Sequence, residues 1–168
     1  MAHYAILDDN NVVTMVFTGH DENNGVDWET HYGEVHGKVC KRTSVNTHYG
    51  VHWSSVAGGT KPSEDQSKSF RYNFSKIGTV YDSDNDAFIM SEFDAGMTAA
   101  HREYGDYVYK PEIFSWVFVS NGTMPFASWV SHPITGIPQP PKDYPQDGKN
   151  YIWDESVVDF VEFIPPTE

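Results

Sequence analysis

Leucine, cysteine and basic residues are all scarce in this sequence of 168 residues. Leu7 is the only leucine, whereas aromatic residues make up 15% of the chain. The apolar core therefore has to come largely from Phe, Tyr, Trp and β-branched side chains, which favour strands over helices. The composition predicts a mainly β protein, and its length suits one domain or one domain with an appended arm.

The shortage of cysteine and of positive charge excludes several classes of function. Cys40 is the only cysteine, so the chain cannot form an internal disulfide bond. The formal net charge is -13, from 11 Lys and Arg against 24 Asp and Glu, and binding to a phosphate backbone needs a basic face. We therefore expect no nucleic acid among the partners. An acidic surface keeps a protein soluble and suits a basic protein partner.

Long apolar runs are missing as well. No stretch approaches the roughly 18 apolar residues of a membrane-spanning helix. The N-terminal residues MAHYAILDDNN lack the basic segment and the apolar run of a signal peptide. We therefore expect no membrane partner.

Four segments have the pattern of a β-hairpin, in which two short apolar runs flank a polar turn. They are residues 3–17, 78–90, 114–130 and 151–163, with turns near Asp8 to Asn11, Asp82 to Asp86, Ser120 to Gly122 and Asp154 to Ser156. Asn121-Gly122 is the strongest turn signal, since a type I′ turn needs positive φ at both central residues. The pattern predicts consecutive antiparallel hairpins in a small sandwich or barrel-like domain.

The segments between the hairpins give weaker signals. Residues 28–39 have apolar side chains at helical spacing, but Gly33 and Gly37 limit the predicted helix to one or two turns. Residues 54–69 are rich in Gly, Ser and charge and are predicted to form a long exposed loop. A short helix is a further candidate over Thr98 to Tyr104.

Residues 131–149 contain five prolines, which exclude a helix or a central strand and predict an extended, polyproline-like connector. The predicted organisation is a β-rich body over 1–130. A Pro-rich connector and a C-terminal hairpin or arm follow over 131–168.

Alternating carboxylates in the second hairpin resemble the start of a calcium loop. Asp82, Asp84 and Asp86 have the right spacing, but an EF-hand loop needs Gly at its sixth position and a bidentate Glu at its twelfth. Those positions hold Ala87 and Phe93. The pattern therefore favours a hairpin turn, in which Asp side chains cap their own backbone.

A second cluster has side chains of the types that bind zinc. It consists of His31, His36, Cys40, His48 and His52, all within 22 residues. Their spacing matches no zinc-finger pattern, which favours hydrogen-bonded or exposed histidines. We predict no metal site and no cofactor.

Catalytic signatures are missing, whereas aromatic side chains are plentiful. The chain contains no GxSxG, no HExxH and no Gly-rich phosphate loop, so we predict no enzyme and no catalytic residue. Trp and Tyr rings can stack on the C–H face of a pyranose, and they can equally fill a core or a subunit interface. The predicted interface residues are Trp53, Trp116, Trp129, Tyr144, Tyr151 and Trp153.

Several stretches taken together resemble small structural or hypothetical proteins of cyanophages and other marine tailed phages. They are MAHYAILDDNNVVTMVF at 1–17, CKRTSVNT at 40–47, FRYNFSKIGTVYDSDNDAFI at 70–89, SWVF at 115–118 and YPQDGKNYIWDE at 144–155. The chain departs from that family in a longer segment over 91–112. It also ends in VVDFVEF where relatives often place a tryptophan, so the resemblance does not define an attachment site.

The resemblance implies a component of a phage particle, made in the host cytoplasm and located in the virion. Its partners would be the major capsid protein or other virion proteins, and it would be a homo-oligomer or present in many copies per particle. An outer capsid decoration or cement protein is the first hypothesis. A tail, fibre or whisker component that binds host glycans is the alternative, and a small hydrolase or metal protein is the third.

Overall fold

The computed structural model of the protein describes residues 2–21, 25–91 and 102–165. The predicted mainly β class is confirmed, because this part of the chain forms fourteen strands and one α-helix. The strands pair in small sheets of two or three strands, several of them antiparallel hairpins.

The chain divides into two compact units. The first unit comprises Met1–Trp53, Pro62–Gly96 and Tyr109–Trp116, as far as these residues are described. The second unit comprises Ser54–Lys61, Met97–Val108 and Val117–Glu168, with the same restriction. The Pro-rich connector and the C-terminal hairpin therefore belong to a unit that also includes residues from earlier in the chain.

The first predicted hairpin is confirmed, and it forms the centre of the first unit. Strands β1 (Ala2–Leu7), β2 (Val13–Gly19) and β3 (Val39–Thr43) make an antiparallel sheet in the order β2-β1-β3. Successive side chains of β1 point to opposite faces, and both faces are covered. The cluster on one face is Ala5, Leu7, Val13, Tyr81 and Phe88. The cluster on the other face is Ala2, Tyr4, Ile6 and Cys40.

Helix α1 (Trp28–His36) follows β2 and packs Trp28 and Tyr32 against the second of these clusters. Asp27 caps its first turn by accepting hydrogen bonds from the backbone N–H groups of Glu29 and Thr30. The helix has nine residues and ends at Gly37, which adopts a left-handed conformation. It is slightly longer than predicted, because Gly33 is accommodated within the helix and only Gly37 ends it.

Strands β4 (Thr47–His48), β5 (Val51–Val56) and β6 (Gly59–Pro62) form a sheet in the order β4-β5-β6. The prediction of a long loop over 54–69 is therefore wrong for its first half. Gly58 and Gly59 both have positive φ and reverse the chain between β5 and β6. Backbone pairing does not depend on apolar side chains, so composition alone did not reveal this turn.

The second predicted hairpin is also confirmed. Strand β7 (Val80–Asp82) pairs with β8 (Ala87–Ile89) in antiparallel register. The Asp82 carboxylate accepts hydrogen bonds from the backbone N–H groups of Asp84 and Asn85 at 3.0 and 3.1 Å. The acidic turn is thus held by its own backbone, as expected for Asp in a turn.

Arg71 joins the second hairpin to helix α1 within the first unit. Its guanidinium binds both carboxylate oxygens of Glu29, at 2.7 and 3.1 Å, and its Nε donates to Asp86 at 2.6 Å. The Arg71 side chain is only 12% exposed. Burial opposes ionisation of Asp86, but hydrogen bonds from Tyr81 and Arg71 outweigh it and lower the Asp86 pKa.

The third predicted hairpin is wrong. Strand β10 (Ser115–Ser120) pairs with the preceding strand β9 (Gly105–Lys110), and a 3-10 turn at Pro111–Ile113 connects the two. Residues 121–129 contain no strand. Pro125 lacks the N–H that a ladder requires, and the backbone N–H of Asn121 donates to Tyr104 instead.

The rest of the second unit contains two strand pairs. They are β11 (Val130–Ser131) with β12 (Pro138–Gln139), and β13 (Tyr151–Asp154) with β14 (Asp159–Glu162). The second pair confirms the fourth predicted hairpin. The helix predicted over Thr98 to Tyr104 lies largely outside the described residues. No helix in the described part of the chain is long and apolar enough to cross a membrane.

Candidate binding groove in the second unit

The second unit contains a groove with a volume of about 490 Å³, which we call the aromatic groove. Four segments contribute to it: the β5–β6 turn, Trp129, the connector and hairpin β13–β14. The lining residues are Val56, Ala57, Gly58, Gly59, Thr60, Lys61, Trp129, Gln139, Pro140, Lys142, Asp143, Tyr144, Gln146, Trp153 and Phe160. Its four rings are half-buried, so each is both packed and accessible.

Hairpin β13–β14 places two of these rings side by side. Trp153 lies directly opposite Phe160 in the antiparallel register, and their ring centroids are 5.2 Å apart in an edge-to-face arrangement. Tyr144 of the connector extends the row, with its ring centroid 5.2 Å from that of Phe160. Such pairs stabilise each other beyond their area burial, so the row forms a stable wall.

Glu155 fixes the orientation of Trp153. One oxygen of its carboxylate accepts the indole N–H of Trp153 at 2.9 Å and the hydroxyl of Ser128 at 2.6 Å. The other oxygen accepts the backbone N–H of Ser128 at 2.9 Å. Since Ser128 precedes Trp129, one carboxylate holds both tryptophan-bearing segments. The hydrogen bonds from Ser128 and Trp153 lower the pKa of Glu155.

Tyr144 is also fixed in position, by a hydrogen bond to its hydroxyl and by packing of its ring. Its hydroxyl oxygen accepts the backbone N–H of Tyr151 at 2.7 Å. Its ring lies against Gly58 of the β5–β6 turn, where an added Cβ would be only 2.3 Å from the Tyr144 Cγ atom. The polar atom of this side chain is therefore engaged, and the ring is set in position by contact with backbone.

Gln146 ties the connector to the same turn. Its side-chain oxygen accepts the backbone N–H of Ala57 at 3.0 Å, and its side-chain nitrogen donates to the Ala57 carbonyl at 2.9 Å. That nitrogen also donates to the Tyr144 carbonyl at 2.7 Å. The side-chain amide thus acts like a short piece of paired strand and holds two walls of the groove together.

Four polar side chains of the groove remain available to a ligand. Thr60, Lys61, Gln139 and Asp143 make no side-chain hydrogen bond and no ion pair with any described residue. Lys142, by contrast, binds Asp159 at 2.6 Å. As far as the structure describes the chain, the groove therefore offers donors, acceptors, one unpaired cation in Lys61 and one unpaired anion in Asp143.

Four of the six predicted interface residues come together here. Trp129, Tyr144 and Trp153 line the groove, and Tyr151 packs its ring against Tyr144 with centroids 5.8 Å apart. Tyr151 also donates its hydroxyl to Asp147 at 2.7 Å.

The other two predicted interface residues belong to the first unit. Trp53 is 8% exposed and donates its indole N–H to the carbonyl of His48 at 3.1 Å. Its ring therefore fills the interior and offers no contact surface. Trp116 is half-buried, with its ring 5.6 Å from that of Tyr109.

Two of the three candidate carboxylate ligands are engaged in other contacts. Asp82 caps its own turn and Asp86 binds Arg71. Cys40 is buried, and burial raises the pKa of its thiol to about 12, which disfavours the thiolate that zinc requires. Within residues 2–21, 25–91 and 102–165, no three His, Cys, Asp or Glu side chains are grouped so that they could hold a metal ion.

Compared with models of known protein families, with curated proteins and with solved structures, the chain matches none of them. The groove is therefore interpreted from its own geometry. Reasoning from the sequence missed Glu155, Gln146 and the β5–β6 turn. The sequence gives no signal for the first two, since a polar residue in a turn is ordinary, whereas the Gly58-Gly59 pair was a turn signal hidden within an assumed loop.

The anchoring of Trp153 predicts a specific pH dependence. The folded-state pKa of Glu155 lies below its ordinary value of 4.5, so the carboxylate stabilises the groove above that pH and loses this effect as pH falls through the lower value. We expect the indole N–H resonance of Trp153 to titrate with a midpoint below 4.5 in NMR spectra recorded from about pH 6 to about pH 3.

The indole N–H of Trp53 is the internal control for this titration. It donates to a backbone carbonyl, which does not ionise, so its resonance should not follow the same curve. A Trp153 midpoint at or above the ordinary Glu155 value, or a flat response, would show that the carboxylate does not hold the ring.

Proposed function

We propose that this protein is a non-catalytic structural component of a tailed-phage particle. In this role it is an outer capsid decoration protein that binds the capsid lattice through protein–protein contacts. The observation that carries the proposal is an exposed apolar surface on and beside hairpin β13–β14, which we call the hairpin patch. Its members are Ile152, Val157, Val158, Phe163 and Ile164, which are between 40% and 76% exposed.

The hairpin patch combines one strand residue with residues of the turn and of the segment after the hairpin. Val157 and Val158 lie in the turn between β13 and β14, and Phe163 and Ile164 follow β14. Trp153 and Phe160 face the aromatic groove, so the residues next to them in each strand, among them Ile152, point to the opposite face. Apolar residues concentrated on one short hairpin are typical of a contact surface.

A capsid protein is the proposed partner of this surface. An acidic chain repels further copies of itself in solution, and its charge favours a partner with basic character around an apolar pocket. A lattice that repeats the same pocket lets many weak contacts act together, especially if neighbouring copies also touch. The resemblance to structural proteins of marine phages supports the same assignment.

The aromatic groove favours a second candidate function. A tail, fibre or whisker component would also need a site for a surface glycan, and four half-buried aromatic rings with free polar neighbours suit such a ligand. Binding by the groove and binding by the hairpin patch can be separated experimentally, because different side chains carry them.

The test is addition of purified protein to particles assembled without it, followed by co-sedimentation. The double variant Ile152→Ser, Ile164→Ser is expected to bind about tenfold more weakly than wild type, since apolar anchors dominate such contacts. Ile77→Ser is the matched control for Ile164→Ser, because Ile77 is 74% exposed and Ile164 is 76% exposed. Ile77 belongs to the first unit and lies outside the hairpin patch.

Two outcomes would contradict the proposal. One is wild-type protein that fails to co-sediment with the particles. The other is equal weakening by Ile77→Ser and Ile164→Ser, which would mean that any exposed isoleucine serves and that the hairpin patch has no special role.

A further inference from the structure

We propose that the aromatic groove is a carbohydrate-binding site that takes a neutral hexopyranose oligosaccharide. This activity deepens the second candidate function, a glycan site in the same groove, and does not depend on the contact function. Three properties of the groove support it: the aromatic surfaces that it exposes, the polar groups that it leaves free, and its nearly balanced charge.

The aromatic surfaces are suited to stacking on a sugar ring. Trp153 and Tyr144 use their polar atoms internally, on Glu155 and on the N–H of Tyr151. What these side chains leave to a ligand is therefore the flat, apolar part of each ring. One face of a pyranose carries only C–H groups and matches such a surface, while its edges carry hydroxyls.

The free polar groups match those hydroxyls. A hydroxyl both donates and accepts hydrogen bonds, so a sugar is best bound by a mixture of donors and acceptors. Thr60 and Gln139 can do both, Asp143 only accepts and Lys61 only donates. A purely apolar ligand would leave these groups unpaired on burial, which costs free energy for each of them.

The charge of the groove disfavours an ionic ligand. Lys142 is neutralised by Asp159, so the charges left without a described partner are those of Lys61 and Asp143. On a chain with a net charge of -13, a groove with balanced charge neither concentrates anions nor selects cations. A neutral, polar ligand is the class that such a site accepts without a charge penalty.

The size and rigidity of the groove agree with this assignment. Its volume of about 490 Å³ lies within the range of roughly 300–1,000 Å³ typical of small-ligand sites. Glu155 and Gln146 hold its walls before any ligand arrives. Preorganisation of this kind lowers the entropy cost of binding.

The experiment is an NMR titration of the full chain with cellohexaose, maltohexaose and mannohexaose as probes. A proline-rich decapeptide is titrated in parallel, because an aromatic groove can also bind polyproline. We expect at least one hexasaccharide to shift the indole resonances of Trp129 and Trp153 with a Kd of about 1 mM or tighter. The peptide should leave these resonances in place.

Two variants locate the binding. Asp143→Ala removes a free, exposed acceptor without disturbing any described contact, and it should weaken binding about fivefold to tenfold. Gly58→Ala places a methyl group against the Tyr144 ring and should abolish measurable binding. Gly148→Ala is the matched control, since its φ of 82° is close to the 79° of Gly58 and a Cβ there has no atom within 4 Å. It should bind like wild type.

Three results would overturn the proposal. They are no shift with any hexasaccharide at about 10 mM, shifts that Asp143→Ala and Gly58→Ala leave unchanged, and binding of the peptide alone. The double variant of the hairpin patch should bind sugar like wild type. A failure of sugar binding is therefore distinct from a failure of particle binding.

Discussion

Replacing Arg71 by alanine is expected to lower the free energy of unfolding of the first unit by about 3 kcal/mol. The guanidinium is 12% exposed and binds Glu29 through two hydrogen bonds and Asp86 through a third. Its loss leaves two carboxylates without their cation, with only the backbone N–H of Arg42 still donating to Glu29 and the Tyr81 hydroxyl to Asp86. Asp86 is 61% exposed, so solvent screens part of the penalty, and we expect the lower end of the range for buried pairs.

Denaturant unfolding followed by hydrogen exchange in strands β1 to β3 measures this effect in the first unit. Arg71→Lys should be intermediate, because a lysine cannot make the two-pronged contact with Glu29. Lys142→Ala removes an exposed, solvent-screened pair with Asp159 and should cost clearly less than Arg71→Ala. Equal losses for Arg71→Ala and Lys142→Ala would contradict the central place of Arg71.

Replacing Gly136 by alanine should destabilise the second unit by roughly 3 kcal/mol or more. Gly136 has a φ of 73°, and a Cβ there would lie 1.8 Å from the carbonyl oxygen of Phe118. The turn cannot move away easily, because the N–H of Phe118 donates to Thr135 at 3.0 Å and the N–H of Gly136 donates to His132 at 2.9 Å.

Gly148→Ala separates backbone strain from collision at Gly136. Gly148 has a φ of 82° and open space around its Cα, so alanine there bears only the cost of about 1–2 kcal/mol for a left-handed residue. Thermal unfolding of both variants gives the difference. If Gly136→Ala is no less stable than Gly148→Ala, then Phe118 does not approach Gly136 as closely as the structure shows.

The hairpins that could be predicted from the sequence are those in which both strands and the turn are adjacent in sequence. In residues 3–17, 78–90 and 151–163, the two apolar runs pair with each other across the turn that joins them. The Asn121-Gly122 pair led to a wrong hairpin prediction, because a strand can pair with either of two neighbouring segments and a turn signal considers only one of them. Pro125 removes a backbone donor from the segment that was predicted to pair with β10, and β10 pairs with β9 instead.

The groove could be predicted only in part. Trp and Tyr are typical of contact surfaces, so the sequence alone indicates Trp129, Tyr144 and Trp153 as candidates. It does not show that they lie close together. The residues that hold these rings could not be predicted. Gln146 is hydrogen-bonded to Ala57, 89 positions away in sequence, and Glu155 to Ser128, 27 positions away. Such pairings depend on the path of the Pro-rich connector, which periodicity does not encode.

The same limit applies to the acidic turn. Alternating carboxylates raised the question of calcium, and the local backbone answered it for Asp82. Asp86 has a different role, since it adopts a φ of 49° and binds Arg71, 15 residues away. Its function in the fold is to pair with a cation that the turn itself does not contain.

The most direct test of the proposed function is quantitative mass spectrometry of purified particles of the tailed phage that, under this proposal, encodes the chain. Its copy number is normalised to that of the major capsid protein. A decoration protein is predicted to occur at a simple ratio, such as one copy per capsid subunit or one per trimer of subunits. A few copies per particle would contradict the capsid assignment and favour the tail or its fibres. Absence from the particle would contradict the structural role altogether.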